Sequence, residues 1–147
     1  MISVRYMTEG DIDGVLRVER ESFSTPWTEK LFYDEVKNLR TVYFVAITEK
    51  DEIIGYGGMW NVVGEGQITN IAVGKDHRGM GVGSRLLESL IDWAKEKEIK
   101  IIGLEVREGN INALGLYKKY GFLEVGKRKD YYKNPTENAI LMDLKLD

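Results

Sequence analysis

A chain of 147 residues that is 43% hydrophobic and 31% charged carries enough apolar material for one buried core, and it has no apolar run as long as a membrane span. The formal net charge of −3 argues against binding driven by nucleic-acid phosphates. Cysteine is absent and histidine occurs once, at His77, which excludes disulfides, thiolate nucleophiles and histidine metal clusters, so no metal site is expected.

The amino terminus lacks a signal-peptide pattern, so a single cytoplasmic domain over residues 1–147 is expected, with no linker or repeat. Between Met1 and Asn38 stand eight acids and five basic residues, which accounts for the net charge. Such a segment suits either a basic protein or peptide, or a solvated helix surface.

In chain order, Ile2 to Met7 alternates as a strand. Thr8, with Asp11 three residues on, can cap a helix carrying Ile12, Val15, Leu16 and Phe23 on one stripe. Ser24-Thr25-Pro26-Trp27 interrupts it, because proline disfavours helical geometry in the residue before it. A second helix from Trp27-Thr28 carries Leu31, Phe32 and Val36. Tyr43–Thr48 and Ile53–Val63 read as strands joined at Lys50-Asp51, and Gly64-Glu65-Gly66 turns the chain into a third, Ile68–Val73. Beyond Val82, residues Leu86, Leu87, Leu90, Ile91 and Ala94 recur at helical spacing. Ile99–Val106 reads as a buried strand, and Asn110 and Asn112 are alternative caps for a short helix ending at Gly121. Phe122–Tyr132 and Ala139–Leu146 close the chain as strands. The order β-α-α-β-β-β-α-β-α-β-β indicates an α/β domain with a single mixed sheet flanked by helices.

The most informative stretch joins the third strand to the long helix: Arg78-Gly79-Met80-Gly81-Val82-Gly83, with Ser84 next. Alternating glycines let the backbone bend and leave its N–H groups bare. The helix start adds unpaired N–H groups and the positive end of a dipole, so the turn suits an anion such as a pyrophosphate; a glycine-rich connector without a ligand is the alternative. A Walker loop needs Lys-Ser/Thr after its last glycine, and the dinucleotide pattern G-x-G-x-x-G is absent. The pattern present is Arg-x-x-Gly-x-Gly after Asn-Ile-Ala-Val. It resembles the GCN5-related N-acetyltransferase (GNAT) superfamily, whose fold, with a twisted and mostly antiparallel mixed sheet, matches the element order across nearly the whole chain. That resemblance implies acetyl-CoA as co-substrate, its pyrophosphate on Arg78, Gly79, Met80, Gly81, Val82, Gly83 and Ser84. It also implies that backbone groups of Ile71, Ala72 and Val73 run beside the pantetheine arm, where one N–H can polarise the thioester carbonyl.

Glu105 is the odd member of an apolar strand, where a charge is costly unless paired or used. Near an amine it can draw off a proton, directly or through water; paired with Arg107 or a lysine it is structural. Tyr117 can deliver a proton to a departing sulfur, or it is a core aromatic. The run Leu104-Glu105-Val106-Arg107, with Asn110, then Ala113 to Tyr117 and Gly121-Phe122, with Tyr131-Tyr132 further on, resembles the RimI-type ribosomal-protein-alanine N-acetyltransferases and their N-terminal acetyltransferase relatives. The resemblance implies Glu105 as general base, Tyr117 as general acid and Asn110 as a cofactor contact. Gly109 stands where that family often has serine. Phe23, Trp27, Tyr131 and Tyr132 match loops that flank the peptide entrance, with core packing the alternative for each. The expected acceptor is thus a protein N-terminus, first a ribosomal protein beginning with Ala. A lysine side chain or a small amine, or a silent CoA-binding module, would be the alternatives. With no thiol available, direct transfer in a ternary complex is expected.

Overall fold

The computed structural model describes residues 1–23 and 26–146. One seven-stranded sheet runs through it in the order β1-β2-β3-β4-β5-β7-β6. The elements are β1 (Ser3–Tyr6), α1 (Ile12–Ser22), α2 (Glu29–Lys37), β2 (Thr41–Ile47), β3 (Ile53–Val62), β4 (Glu65–Val73), α3 (Val82–Glu96), β5 (Ile101–Arg107), α4 (Ile111–Lys119), β6 (Leu123–Tyr132) and β7 (Glu137–Lys145). The order matches the expected one. Of the interrupting run before α2, Ser24 and Thr25 lie outside the described residues; Thr28 caps α2 by accepting the Leu31 amide at 3.2 Å.

Each face of the sheet carries one apolar layer. Leu86, Leu87 and Leu90 of α3 are fully buried against Ile54, Ile68 and Ile102, each worth about 1.5–3 kcal/mol of burial. On the other face α1 and α2 bury Ile12, Val15 and Phe32 against Val45, Ile53 and Tyr56. Gly55 lets α3 approach, since a Cβ there would stand 3.0 Å from the Ala72 carbonyl oxygen and 3.1 Å from Val82 Cγ1. Before α1, Asp11 accepts the Thr8 amide at 2.8 Å and takes a two-pronged contact from Arg5 at 2.7 and 2.9 Å.

Most strand ends shift from expectation by one or two residues, and two shifts have a local cause. The β3–β4 turn is only Val63-Gly64, both at positive φ (52° and 81°), so Glu65 and Gly66 already pair in β4. Ile99 is not in β5: with Glu98 at φ 58°, its amide donates back to the Ala94 carbonyl at 2.9 Å, and it ends α3 instead. The feature that makes a site is a parting of strands. β4 and β5 are parallel partners only over Glu65–Gln67 with Ile101–Gly103, and beyond that they are not paired. In β4 the β3 register slips by one residue, leaving Thr69 as a bulge between Ile68 and Asn70.

Candidate active site

On one side of the opening, β4 keeps its ladder to β3 through Ile71, Ala72 and Val73 but has no strand partner on its other edge among the described residues. Antiparallel geometry then turns alternate peptide groups of this stretch into the gap. Behind the bulge, the Tyr43 hydroxyl lies 3.2 Å from both Glu35 Oε2 and Thr69 Oγ1, which fixes the kinked backbone.

β4 leads through a single 3₁₀ turn, Lys75–His77, into the glycine-rich run. Gly79 and Gly81 adopt positive φ (77° and 81°), so two of the three glycines are required by the backbone; Gly83 already lies inside α3. Among the described residues no side chain caps α3, and no acid occupies its first turn, so its leading amides remain available to an anion. The Arg78 side chain is engaged with the turn itself, Nε donating to the Val73 carbonyl at 3.0 Å and Nη2 to the Glu21 carbonyl at 3.4 Å. Met80 stands exposed beside it. A pyrophosphate therefore fits this turn through backbone groups more than through side chains. Asn110, the one of the two asparagines that caps α4, accepts the Ala113 amide at 3.2 Å.

The other side of the opening is built from side chains. On β5, Leu104 and Val106 enter the core, which leaves Glu105 and Arg107 on the opposite face. The Glu105 side chain is 25% exposed, and its buried Oε2 has no hydrogen-bond partner among the described residues. Its nearest cation is neither Arg107 nor a lysine but Arg128 of β6, whose Nε stands 3.3 Å away without hydrogen-bond alignment. Tyr117 is buried on α4 in edge contact with Phe122 at 5.6 Å, and burial, then the neighbouring Tyr132, pushes its hydroxyl well above the usual tyrosine range. The Tyr132 hydroxyl is pushed up to about 12, first by burial and then by the charge of Glu105. Tyr132 thus lies within electrostatic reach of Glu105 on one side and of Tyr117 on the other. Tyr131 meets Tyr132 edge-on at 5.1 Å and is 48% exposed.

Phe23 and Trp27 pack, partly buried, against the α1–α2 core, Trp27 lying 5.1 Å from Phe32 and 6.5 Å from Tyr43. A carboxylate not singled out in the sequence holds this segment. Glu19, 1% exposed, accepts the Tyr56 hydroxyl and, at 2.8 Å, the Trp27 amide. Burial raises its carboxyl above the ordinary glutamate value, against the pull of those two bonds. Its spacing was the available signal, because Glu19 shares the helix stripe of Ile12 and Val15, whereas Phe23, expected on that stripe, stands past the end of α1 in extended backbone. Arg128 offered no such signal, since β7 intervenes between β5 and β6. No helix among the described residues is long and apolar enough to cross a membrane.

An uncapped helix start beside a parted pair of parallel strands, with an arginine-paired carboxylate, a half-buried phenol and a buried one opposite, suits a group-transfer enzyme. Residues 12–122 match the model of the acetyltransferase (GNAT) family, and the chain belongs to that family as an N-acetyltransferase. It is 40% identical over 140 residues to a Bacillus subtilis protein provisionally named a [ribosomal protein bS18]-alanine N-acetyltransferase, covering 95% of this chain and 93% of that one. The crystal structure of the Escherichia coli ribosomal-protein-S18-alanine N-acetyltransferase superimposes with a TM-score of 0.91 at 30% identity, over 100% of this chain and 95% of that one. A provisional streptothricin acetyltransferase from Bacillus anthracis, solved in complex with acetyl coenzyme A, gives a TM-score of 0.82 at 25% identity over 100% of this chain and 99% of that one.

Proposed function

We propose that this enzyme transfers the acetyl group of acetyl-CoA to the N-terminal α-amine of a protein, first of all a ribosomal protein beginning with Ala. The observation that carries this is Glu105 Oε2 at the mouth between β4 and β5, buried and 3.3 Å from Arg128 Nε but without a hydrogen bond among the described residues. An acceptor atom left without a bond costs about 1–3 kcal/mol, and an amine proton or a bridging water would satisfy it. The match to relatives named for bS18-alanine acetylation supports the same acceptor.

Acetyl-CoA, when bound, supplies an activated acetyl thioester. The amides at the start of α3 and around Gly81 hold its pyrophosphate, and Asn110 borders the pantetheine path. Outward-facing amides of Ile71–Val73 polarise the thioester carbonyl as negative charge develops on its oxygen. Glu105 takes one proton from the attacking amine, directly or through water, as the new C–N bond forms. Tyr117, held protonated by its raised pKa, hydrogen-bonds the sulfur and supplies its proton as the C–S bond breaks. Phe23, Trp27, Tyr131 and Tyr132 border the acceptor's path. An α-amine titrates near 7.7–8.0, so roughly a tenth or more is neutral at pH 7, whereas a lysine near 10.4 is almost wholly protonated. A single carboxylate therefore suits the α-amine better.

Purified protein with acetyl-CoA should acetylate Ala-initiated peptides in preference to Ser- or Met-initiated ones, N-blocked lysine peptides and polyamines. Intact-mass measurement of ribosomal proteins after incubation should show one gain of an acetyl group at an alanine terminus. Turnover confined to lysine side chains or polyamines would overturn the acceptor assignment, and donor binding without any turnover would reduce the protein to a CoA-binding module.

A further inference from the structure

Arg107 closes β5 on the same face as Glu105, yet its side chain points away from catalysis and into the connection between β6 and β7. Its Nη1 donates to the Pro135 carbonyl at 2.9 Å and to Glu137 Oε1 at 3.2 Å, and its Nη2 to the Lys133 carbonyl at 2.9 Å. The guanidinium carbon lies 4.5 Å from the Tyr132 ring centroid, a cation–π distance. Glu137 uses its other oxygen to accept the Gly109 amide at 2.6 Å. The Arg107 and Glu137 side chains are only 28% and 27% exposed, so this is a partly desolvated cluster and not a passing surface pair.

The connection needs such a tie. The β6–β7 ladder breaks between the pair Arg128–Ala139 and the pair Tyr132–Glu137, so strand pairing does not fix Lys129 to Tyr131. Residues 133–136 are all exposed and bury nothing of their own. Besides Arg107, the chief hold is Asn138 Oδ1 on the Asp130 amide at 2.9 Å, at the far end of the break.

We propose that Arg107 is the positioning residue of the acceptor side: its fork holds the 133–137 connection, and through it the Tyr131–Tyr132 pair, across the acceptor entrance. For its kinetic consequence this rests on the N-terminal acetyltransferase assignment above. The donor turn at Gly79–Ser84 lies on another element and shares none of these bonds. Losing the fork should therefore weaken the acceptor far more than the donor, which the cluster touches through Glu137 on the Gly109 amide beside Asn110. Lysine cannot replace it, because one ammonium on a flexible stem does not span these oxygens in the guanidinium's plane while stacking on a ring.

The test uses the full chain with Arg107→Met and Arg107→Lys. Hydrogen exchange read by mass spectrometry should quicken roughly tenfold or more over residues 131–137 in both variants, with α3 unchanged. The KM for an Ala-initiated peptide should rise roughly tenfold, more than kcat falls, while the KM for acetyl-CoA stays within about twofold. Should Arg107→Met fail to fold, Arg107→Lys carries both measurements. Wild-type exchange in an active variant, a lysine variant equal to wild type, or equal rises in both KM values would each overturn the proposal. If wild-type enzyme acetylates no α-amine, the functional assignment falls, and the exchange rates alone still decide whether Arg107 holds the connection.

Discussion

The two walls of the opening are made from different material. The donor wall is backbone: an unpaired edge of β4, two glycines at positive φ and a helix start that no side chain caps. The acceptor wall is side chain: Glu105 beside Arg128, Arg107 stacked on Tyr132, Tyr117 buried beneath. On the proposed function, the backbone wall would bind the constant part of a substrate, a diphosphate and its arm, through peptide groups that every sequence possesses. The side-chain wall would carry protons and discriminate among acceptors. Substitutions on the two walls should therefore damage different kinetic constants, which is the claim to try to break.

The largest effect is expected at Glu105. Glu105→Gln should lower kcat on the order of 10²-fold, most severely at low pH where neutral amine is scarce, and leave the affinity for acetyl-CoA alone. An unchanged rate and pH profile would remove Glu105 from the base role. Tyr117→Phe should cost less, about tenfold in kcat, because a phenol pushed so far above its usual range gives up its proton reluctantly. The ring and its contact with Phe122 survive that change, so the fold should too; a large loss of thermal stability would instead make the hydroxyl of this core residue structural.

On the donor wall the expected injury is of the opposite kind. Gly81 sits at φ 81° with no neighbour within 4 Å of an added Cβ, so Gly81→Ala meets no clash and pays only for backbone geometry. That cost is roughly 1–2 kcal/mol and should appear as about tenfold weaker acetyl-CoA binding in calorimetry, with kcat at saturation little changed. Gly83→Ala, with ordinary φ and Leu116 Cδ2 at 3.4 Å, should perturb the turn less. If Gly81→Ala bound donor normally, the backbone account of that wall would fail.

The same division explains what could be read in advance. Glycine spacing and helix periodicity are local, so the donor turn, α3 and the order of elements were legible in the linear chain. So was Glu105, because a lone charge among Leu104, Val106 and Ile102 stands out. Its partner was not: Arg107 and a lysine were the neighbours sequence suggested, and only the order β5-β7-β6 brings Arg128 to it. Arg107 likewise gained its role from Lys133, Pro135 and Glu137, all more than 25 positions away. Glu19 was legible in principle from its stripe, yet an acidic residue in an acidic segment reads as solvated until the aromatic partner from β3 is known.

The smallest effects concern pH, and they separate the acceptor wall's support from the rest of the fold. Burial raises the Glu19 carboxyl above its unfolded value, so its contribution to stability is complete below about pH 4.3 and declines as pH rises through the higher folded value. Asp11 is the mirror case. Its carboxyl is lowered first by the hydrogen bonds from Arg5, so its contribution is present above about pH 3.9 and is lost as pH falls through the depressed folded value. Urea unfolding of Glu19→Gln should thus compare better with wild type as pH climbs through the weakly acidic range. Asp11→Asn should cost about 1 kcal/mol near neutrality, a figure reduced for the solvent around Arg5, and should cost nothing in strong acid. Because Glu19 holds the Trp27 amide, its variant should also raise the peptide KM a few-fold, whereas Asp11→Asn should not. Two variants that tracked one another with pH, or that shifted peptide KM equally, would show that Glu19 has no particular tie to the acceptor side.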